Sequence, residues 1–148
     1  MEQTKNNTVE FLDRMYKNVK MGSDSIINLM PKVKDEALRT EMTSELSQLE
    51  KYSSKIGDML HSEGVKPKEE NIVTKTMSKM GMAMNTMVDS TSSHIAEMMM
   101  EGYTMGITDM TKDIRHYENT KASEASLKLA RDIVRFHEDS FEKMKGYL

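Results

Sequence analysis

The chain has 148 residues, which is typical of a single domain, and its formal net charge is −3 with acidic and basic residues interspersed. The absence of cysteine excludes disulfides, zinc ribbons, iron–sulfur clusters and thiol catalysis. There is no basic stripe for nucleic acid, no apolar run long enough to span a membrane and no export signal at the N-terminus, so we expect a cytoplasmic protein.

The first half of the chain predicts two helices and no strand. Apolar residues recur at alternating spacings of three and four over about 6–30, and proline at position 31 ends this first helix. Gly22 lies on that stripe, which indicates either the close approach of a neighbour or a tolerated glycine. A second helix is predicted at about 36–62, with Asp35 as its N-cap and Gly64 as a left-handed C-terminal residue.

The middle of the chain allows two interpretations. An apolar stripe runs from Met77 through His94, Met98, Glu101 and Met105, which is compatible with one helix over 69–117. Such a helix would be about twice as long as its partners at 1.5 Å per residue, and half of it would have nothing to pack against. The polar residues 89–93 are good N-caps and poor helix formers, so we predict a short helix at about 69–87 and a third core helix at about 92–117.

The last helix has the clearest pattern. Three-four spacing extends from Leu127 to Leu148 and includes His137, and Ser123 is the predicted N-cap of a helix at about 123–147. We therefore expect an all-α fold, with residues 1–148 forming one four-helix bundle. Short loops join the first two and the last two helices, whereas a crossover at about 63–91, which contains the short extra helix, joins the second helix to the third.

A four-helix bundle with one long crossover resembles the ferritin-like superfamily, and more specifically the small bacterial ferritin-like domains of unknown function. Di-iron members carry one Glu on each of two helices and a Glu-x-x-His pair on each of the other two. By this resemblance, Glu50 and Glu138 match the glutamates of the two pairs, with Ser53 and Phe141 in place of histidine, and Glu101 matches a lone glutamate.

The first helix offers no matching acid, so the resemblance implies a reduced set in place of a di-iron centre. His137 lies next to Glu138 and could complete a single-metal site for iron or manganese with Glu50, Glu101 and Glu138. The alternative is structural. Glu101 would then be a paired carboxylate at the edge of the core and His137 a hydrogen-bonded core histidine, and no cofactor would be needed.

Methionine is the unusual residue of this chain. There are 17 of them, and ten lie between positions 77 and 110. Methionine fills irregular core space, and closely spaced thioethers can also bind Cu(I). Met82, Met99 and Met100 lie off the apolar stripe, so we expect them to be exposed and to form an adaptable contact surface, most simply that of a homodimer.

Two functional hypotheses follow from the sequence. The favoured one is a non-enzymatic ferritin-like bundle that acts through protein contacts or self-association. The alternative is a metal-binding bundle that uses the reduced carboxylate and histidine set. The chain has no phosphate-binding glycine loop, no Gly-x-Ser-x-Gly element and no His-Glu-x-x-His motif, so no small-molecule substrate is indicated.

Overall fold

The computed structural model describes residues 2–67 and 89–148, which form helices with no β-strand among them. The all-α prediction is thus confirmed for this part of the chain. The four main helices are α1 (Glu2–Leu29), α2 (Glu36–Ser62), α3 (Ser92–Asn119) and α4 (Glu124–Met144). Single 3₁₀ turns follow α1 at Met30–Lys32 and α4 at Lys145–Tyr147. The predicted short helix at 69–87 lies outside the described residues.

Side-chain caps set where the helices begin. The carboxylate of Asp35 accepts a hydrogen bond from the backbone N–H of Leu38 at 3.1 Å, and the hydroxyl of Ser123 accepts one from Ser126 at 3.2 Å, which confirms both predicted N-caps. Thr91 caps α3 in the same way, and residues 89–91 are not helical, so α3 does not extend before Ser92. Beyond α2, Gly64 has φ +77°, the left-handed conformation expected of it.

Contacts between α1 and α3 define the helix directions. Pairs that move forward along α1 move backward along α3, namely Asn7 with Thr120, Arg14 with Asp113, and Asn18 with Gly106. The two helices are therefore antiparallel. The short loop between α1 and α2 makes these two helices antiparallel as well, so α2 and α3 run in the same direction. The end of α2 and the start of α3 therefore lie at opposite ends of the bundle.

α1 packs mainly against α2 and α3, and α3 packs against α4, with a smaller contact between α1 and α4. In the described residues, the backbones of α2 and α4 do not pack closely, which leaves an open groove between these two helices. The predicted stripe of α1 is confirmed, since Leu12, Met15 and Val19 are completely buried. Gly22 on the same stripe lies against Leu49, where an added Cβ would be 3.2 Å from Cδ1, so the close approach is real.

The predicted inward face of α3 is wrong. The structure buries a stripe with the same three-four spacing but a different phase, and Glu101 and Met105 are exposed. The buried residues are Ile95, Ala96, Met99, Tyr103, Met110, Asp113 and Tyr117. The predicted phase continues that of Met77 and its neighbours, but residues 89–91 are not helical, so α3 begins at Ser92 with a phase of its own.

Among the described helices, none combines the length and the apolar character that a membrane crossing requires.

Candidate functional site

The structure does not bring the predicted metal ligands together. Glu50, Glu101 and Glu138 are exposed, whereas His137 is buried. Each glutamate lies one or two residues from a buried position of its helix, which turns it away from the core by about 100° or 200°. Within residues 2–67 and 89–148, no three His, Cys, Asp or Glu side chains are placed where they could hold a metal ion.

His137 is instead part of a polar link between three helices. The side-chain amide of Asn18 on α1 donates to the carbonyl of Gly106 on α3 at 3.0 Å, which leaves the amide oxygen of Asn18 facing Nε2 of His137 on α4 at 2.9 Å. Nε2 must therefore carry the hydrogen and donate it. Nδ1 is then a bare acceptor, and it is buried without a donor in the described structure.

Burial lowers the pKa of His137 to about 4, from an ordinary value of 6.5. The imidazole is consequently neutral at physiological pH. A neutral, single-tautomer histidine is consistent with the core role that the sequence offered as the alternative to metal binding.

The three methionines predicted to form a contact surface have different positions. Met99 is 5% exposed and belongs to the core, which corrects the expectation that it faces solvent. The reason is the phase of α3, in which Met99 lies on the buried stripe with Tyr103. Met100 is partly buried against the core, and Met82 lies outside the described residues. Met99 and Met100, the two of these methionines that the structure describes, therefore do not form an exposed patch.

Several methionines do converge on a cleft between α1 and α3. Its volume is about 290 Å³, and Met21, Met98, Met99 and Met105 form much of its wall. Asn18 and His137 provide polar atoms on the same wall. Methionine side chains are flexible and polarisable, so such a wall can adapt to the shape of an apolar molecule.

Three glycines also line this cleft, at positions 22, 102 and 106. Close packing explains two of them. A Cβ added at Gly22 would contact Leu49, and a Cβ added at Gly106 would lie 3.1 Å from Nε2 of His137. Gly102 has none, since nothing lies within 4 Å of the position that its Cβ would occupy. Glycine inside a helix is less stable than alanine by about 1 kcal/mol, so Gly102 weakens α3 and in return keeps the cleft open.

Charged residues at the cleft are balanced. The guanidinium of Arg14 binds the carboxylate of Asp113 at 2.9 Å, and Lys17 and Asp109 add one charge of each sign. Burial raises the pKa of Asp113, while Arg14 opposes this shift. The cleft therefore has no strong electrostatic preference for an anion or a cation.

A second feature lies in the groove between α2 and α4, whose volume is about 820 Å³. Glu45 of α2 is only 2% exposed, and one of its carboxyl oxygens, Oε1, accepts a hydrogen bond from the hydroxyl of Tyr103 on α3. Burial, together with the neighbouring carboxyl of Glu41, raises the pKa of Glu45 to about 9. Glu45 is thus a neutral acid near pH 7, and Tyr103 has a raised pKa for the same reason of burial.

Sequence reasoning missed Glu45, although a signal was present. Met42, Glu45, Leu49, Ile56 and Leu60 are all buried and lie on one face of α2. An apolar pattern on α2 favours Leu46, one position later, but the structure buries Leu46 only partly. A charged residue at a core position of a helix is a strong indication of a buried polar contact, and Asp113 on α3 is a second case in this chain.

Comparison with known proteins adds no family assignment: no protein-family model matches the chain, and no curated protein is significantly similar to it.

Proposed function

We propose that this protein is a binding protein whose cleft between α1 and α3 takes a small, uncharged and partly apolar molecule. The observation that carries the proposal is Gly102. Gly102 makes α3 less stable than an alanine would, although no neighbour requires a glycine at this position. It lies on the wall of the cleft.

The size and lining of the cleft support this ligand class. Its volume of about 290 Å³ is near the lower end of the range for small-molecule pockets, which are mostly apolar with a few polar groups. The methionines provide the apolar wall, and the polar groups of Asn18 and His137 on the same wall are already hydrogen-bonded to each other. The paired charges of Arg14 and Asp113 leave no net attraction for an ionic group.

The helix directions support a ferritin-like bundle as the framework of this binding protein. In that arrangement the second and third helices run in the same direction, and here α2 and α3 do so. The proposed cleft differs in chemistry from a di-iron site, because methionine and glycine form much of its wall and one of its two carboxylates, that of Asp113, is paired with Arg14.

The test is a fluorescence titration with N-phenyl-1-naphthylamine, an uncharged probe whose emission rises in apolar surroundings. Gly102→Leu would extend a side chain from a position where an added Cβ meets nothing within 4 Å, on the wall of the cleft, so we expect probe affinity to fall at least tenfold. Thr108→Leu adds the same side chain at an exposed position of α3 and serves as the matched control. Equal affinity for the wild-type protein and the Gly102→Leu variant would contradict the proposal.

A further inference from the structure

We propose that the outward face of α3 is a self-complementary contact surface, through which two copies of this chain pair with their α3 helices antiparallel. This face consists of exposed residues at three-four spacing, on the side of α3 away from its buried stripe. They are Glu97, Glu101, Met105, Thr108, Lys112 and Arg115. The cleft opens on the side of α3 that faces α1, and only Met105 borders both, so the pairing does not depend on the function proposed for the cleft.

Charge is divided along this outward face. Its first half carries the acids Glu97 and Glu101, and its second half carries the bases Lys112 and Arg115. Asp109, between the two halves, lies toward the cleft instead. Like charges three or four residues apart on a helix repel each other and destabilise it. A single copy therefore gains nothing from this division, whereas a partner with the opposite order of charges would stabilise both halves.

The helix dipole does not explain the division of charge. The dipole favours acids in the first turn of a helix and bases in the last, and its effect falls off within those turns. α3 extends from Ser92 to Asn119, so Glu101 and Lys112 each lie about two turns or more from the nearer end. Their charges are too far from the ends of the helix to be placed there by the dipole.

The charges on this face are not neutralised by their own molecule. In the part of the chain that the structure describes, no ion pair includes Glu101, Lys112 or Arg115. Elsewhere on α3 an exposed charge does have a partner, since Glu118 binds Arg131 of α4 at 2.6 Å. The three unpaired side chains are therefore available to charged groups of another molecule.

One two-fold axis brings all of these charges opposite a charge of the other sign. The midpoint between Glu101 and Lys112 falls between positions 106 and 107, and that between Glu97 and Arg115 falls at 106. An axis that crosses α3 there places Glu101 opposite Lys112 of the second copy and Glu97 opposite Arg115 of the second copy. Each contact then occurs twice. Within the described part of its own molecule, Glu97 is paired with nothing but the imidazole of His94, at 3.7 Å.

The middle of the face offers apolar contact. Met105 is 44% exposed, and it borders a shallow depression of about 430 Å³ between α3 and α4. Met100, Met105 and Phe141 provide the apolar wall of this depression, and Glu101 is on the same wall. A lysine stem can lie along an apolar surface while its ammonium group stays at the edge, so Lys112 of the second copy can cross the depression and reach Glu101.

A second copy of this chain is the partner that the pattern of charge fits. An unrelated acidic or basic protein would be attracted to one half of the face and repelled by the other half. An antiparallel copy matches both halves at once. Because a two-fold pair is closed, its face is fully used and we expect dimers without larger assemblies. The contact is largely ionic and exposed at its edges, so added salt should weaken it.

The test is sedimentation velocity of charge-reversed variants over a range of concentrations. The wild type should approach twice the mass of one chain as the concentration rises. Glu101→Lys and Lys112→Glu each place like charges opposite each other in both contacts, so each variant should dissociate at least tenfold more readily. An equimolar mixture of the two variants should pair again, because every contact in the mixed dimer joins one acid and one base.

Matched controls come from exposed positions of α2. Glu50→Lys and Lys55→Glu change the net charge by the same amounts and should pair like the wild type. Glu97→Lys and Arg115→Glu repeat the exchange at the second contact, so the test does not depend on the folding of one pair of variants. A wild type that stays monomeric, charge-reversed variants that pair as tightly as the wild type, or mixtures that stay monomeric would each overturn the proposal.

Discussion

Gly106 of α3 lies so close to His137 of α4 that a Cβ at position 106 would be 3.1 Å from Nε2 of the imidazole. The same Cβ would be 3.6 Å from the side-chain oxygen of Asn18, the group that accepts the hydrogen bond from Nε2. The absence of a side chain at Gly106 therefore allows α1, α3 and α4 to meet at one buried polar contact. Gly102, one turn earlier, has no such neighbour.

This contrast predicts opposite effects for two alanine substitutions in one helix. Gly106→Ala should destabilise the protein by about 1–3 kcal/mol, because the methyl group overpacks the contact with His137. Gly102→Ala should stabilise it by about 0.5–1 kcal/mol, because alanine is the better helix former and meets nothing. Urea unfolding of both variants measures the difference, and two changes of the same sign would contradict the assignment.

If Met99 is a core residue, replacing it should lower the stability of the protein without changing its oligomeric state. Met99→Ala should lower the free energy of unfolding by about 2–5 kcal/mol, because it removes a buried side chain and leaves a cavity. Light scattering should give the same molar mass for the variant and the wild type. If the variant instead changed the mass and kept its stability, Met99 would belong to a contact surface, as the sequence alone had suggested.

Acid should destabilise the protein through His137. Its pKa of about 4 in the folded state lies below the ordinary 6.5, so the unfolded chain takes up a proton first as the pH falls. The stability contributed by the neutral His137 is therefore full above about pH 6.5 and declines toward pH 4, by at most about 1.4 kcal/mol per pH unit for one proton. An NMR titration of the imidazole should show Nε2 protonated and no charge at pH 6, and a charged ring at that pH would contradict this.

Base should destabilise the protein through Glu45, because the pKa of Glu45 is raised by folding whereas that of His137 is lowered. Its folded pKa of about 9 lies above the ordinary 4.5, so the stability it contributes is full below about pH 4.5 and is lost as the pH rises through 9. Between pH 7 and 9, His137 no longer titrates, and the slope belongs to Glu45. Glu45→Gln should flatten the decline, whereas Glu50→Gln should retain it. An unchanged slope in Glu45→Gln would exclude a neutral buried acid.

Metal ions should have little effect on unfolding. Because the four predicted ligands are not brought together, Fe(II), Mn(II) and Zn(II) are expected to leave the melting temperature of the wild type unchanged. Elemental analysis of the purified protein provides the parallel check. If a metal ion raised the melting temperature, and Glu101→Gln or Glu138→Gln abolished the rise, the predicted metal site would be supported after all.

The parts of the fold that sequence predicts well are those governed by local rules. Asp35 and Ser123 cap helices because their side chains compete for the first backbone N–H groups, and the apolar spacing of α1 fixes its inward face without knowledge of its neighbours. The predicted face of α3 is wrong because methionines occur on several sides of this helix, while the buried stripe includes the charged residue Asp113. Apolar counting alone cannot choose between these faces.

The candidate sites were harder to predict because they depend on contacts between helices. Glu45 becomes a neutral acid only where Tyr103 and Glu41 surround it, and nothing in the local sequence of α2 specifies Tyr103 as its partner. Gly102 has a meaning only when the space beside it is known to be open. His137 was identified as a core residue or a ligand, and its contact with Asn18, 119 positions away, favours the core role.

The most direct test of the proposed binding function uses the methionines themselves. In a protein labelled with ¹³C at the methionine methyl groups, N-phenyl-1-naphthylamine should shift the signals of Met21, Met98, Met99 and Met105, which line the cleft between α1 and α3. Met42 and Met144 are fully buried elsewhere and should not respond. Shifts confined to the four cleft methionines are the predicted result. Shifts that avoid these four, or that persist in Gly102→Leu, would contradict the account.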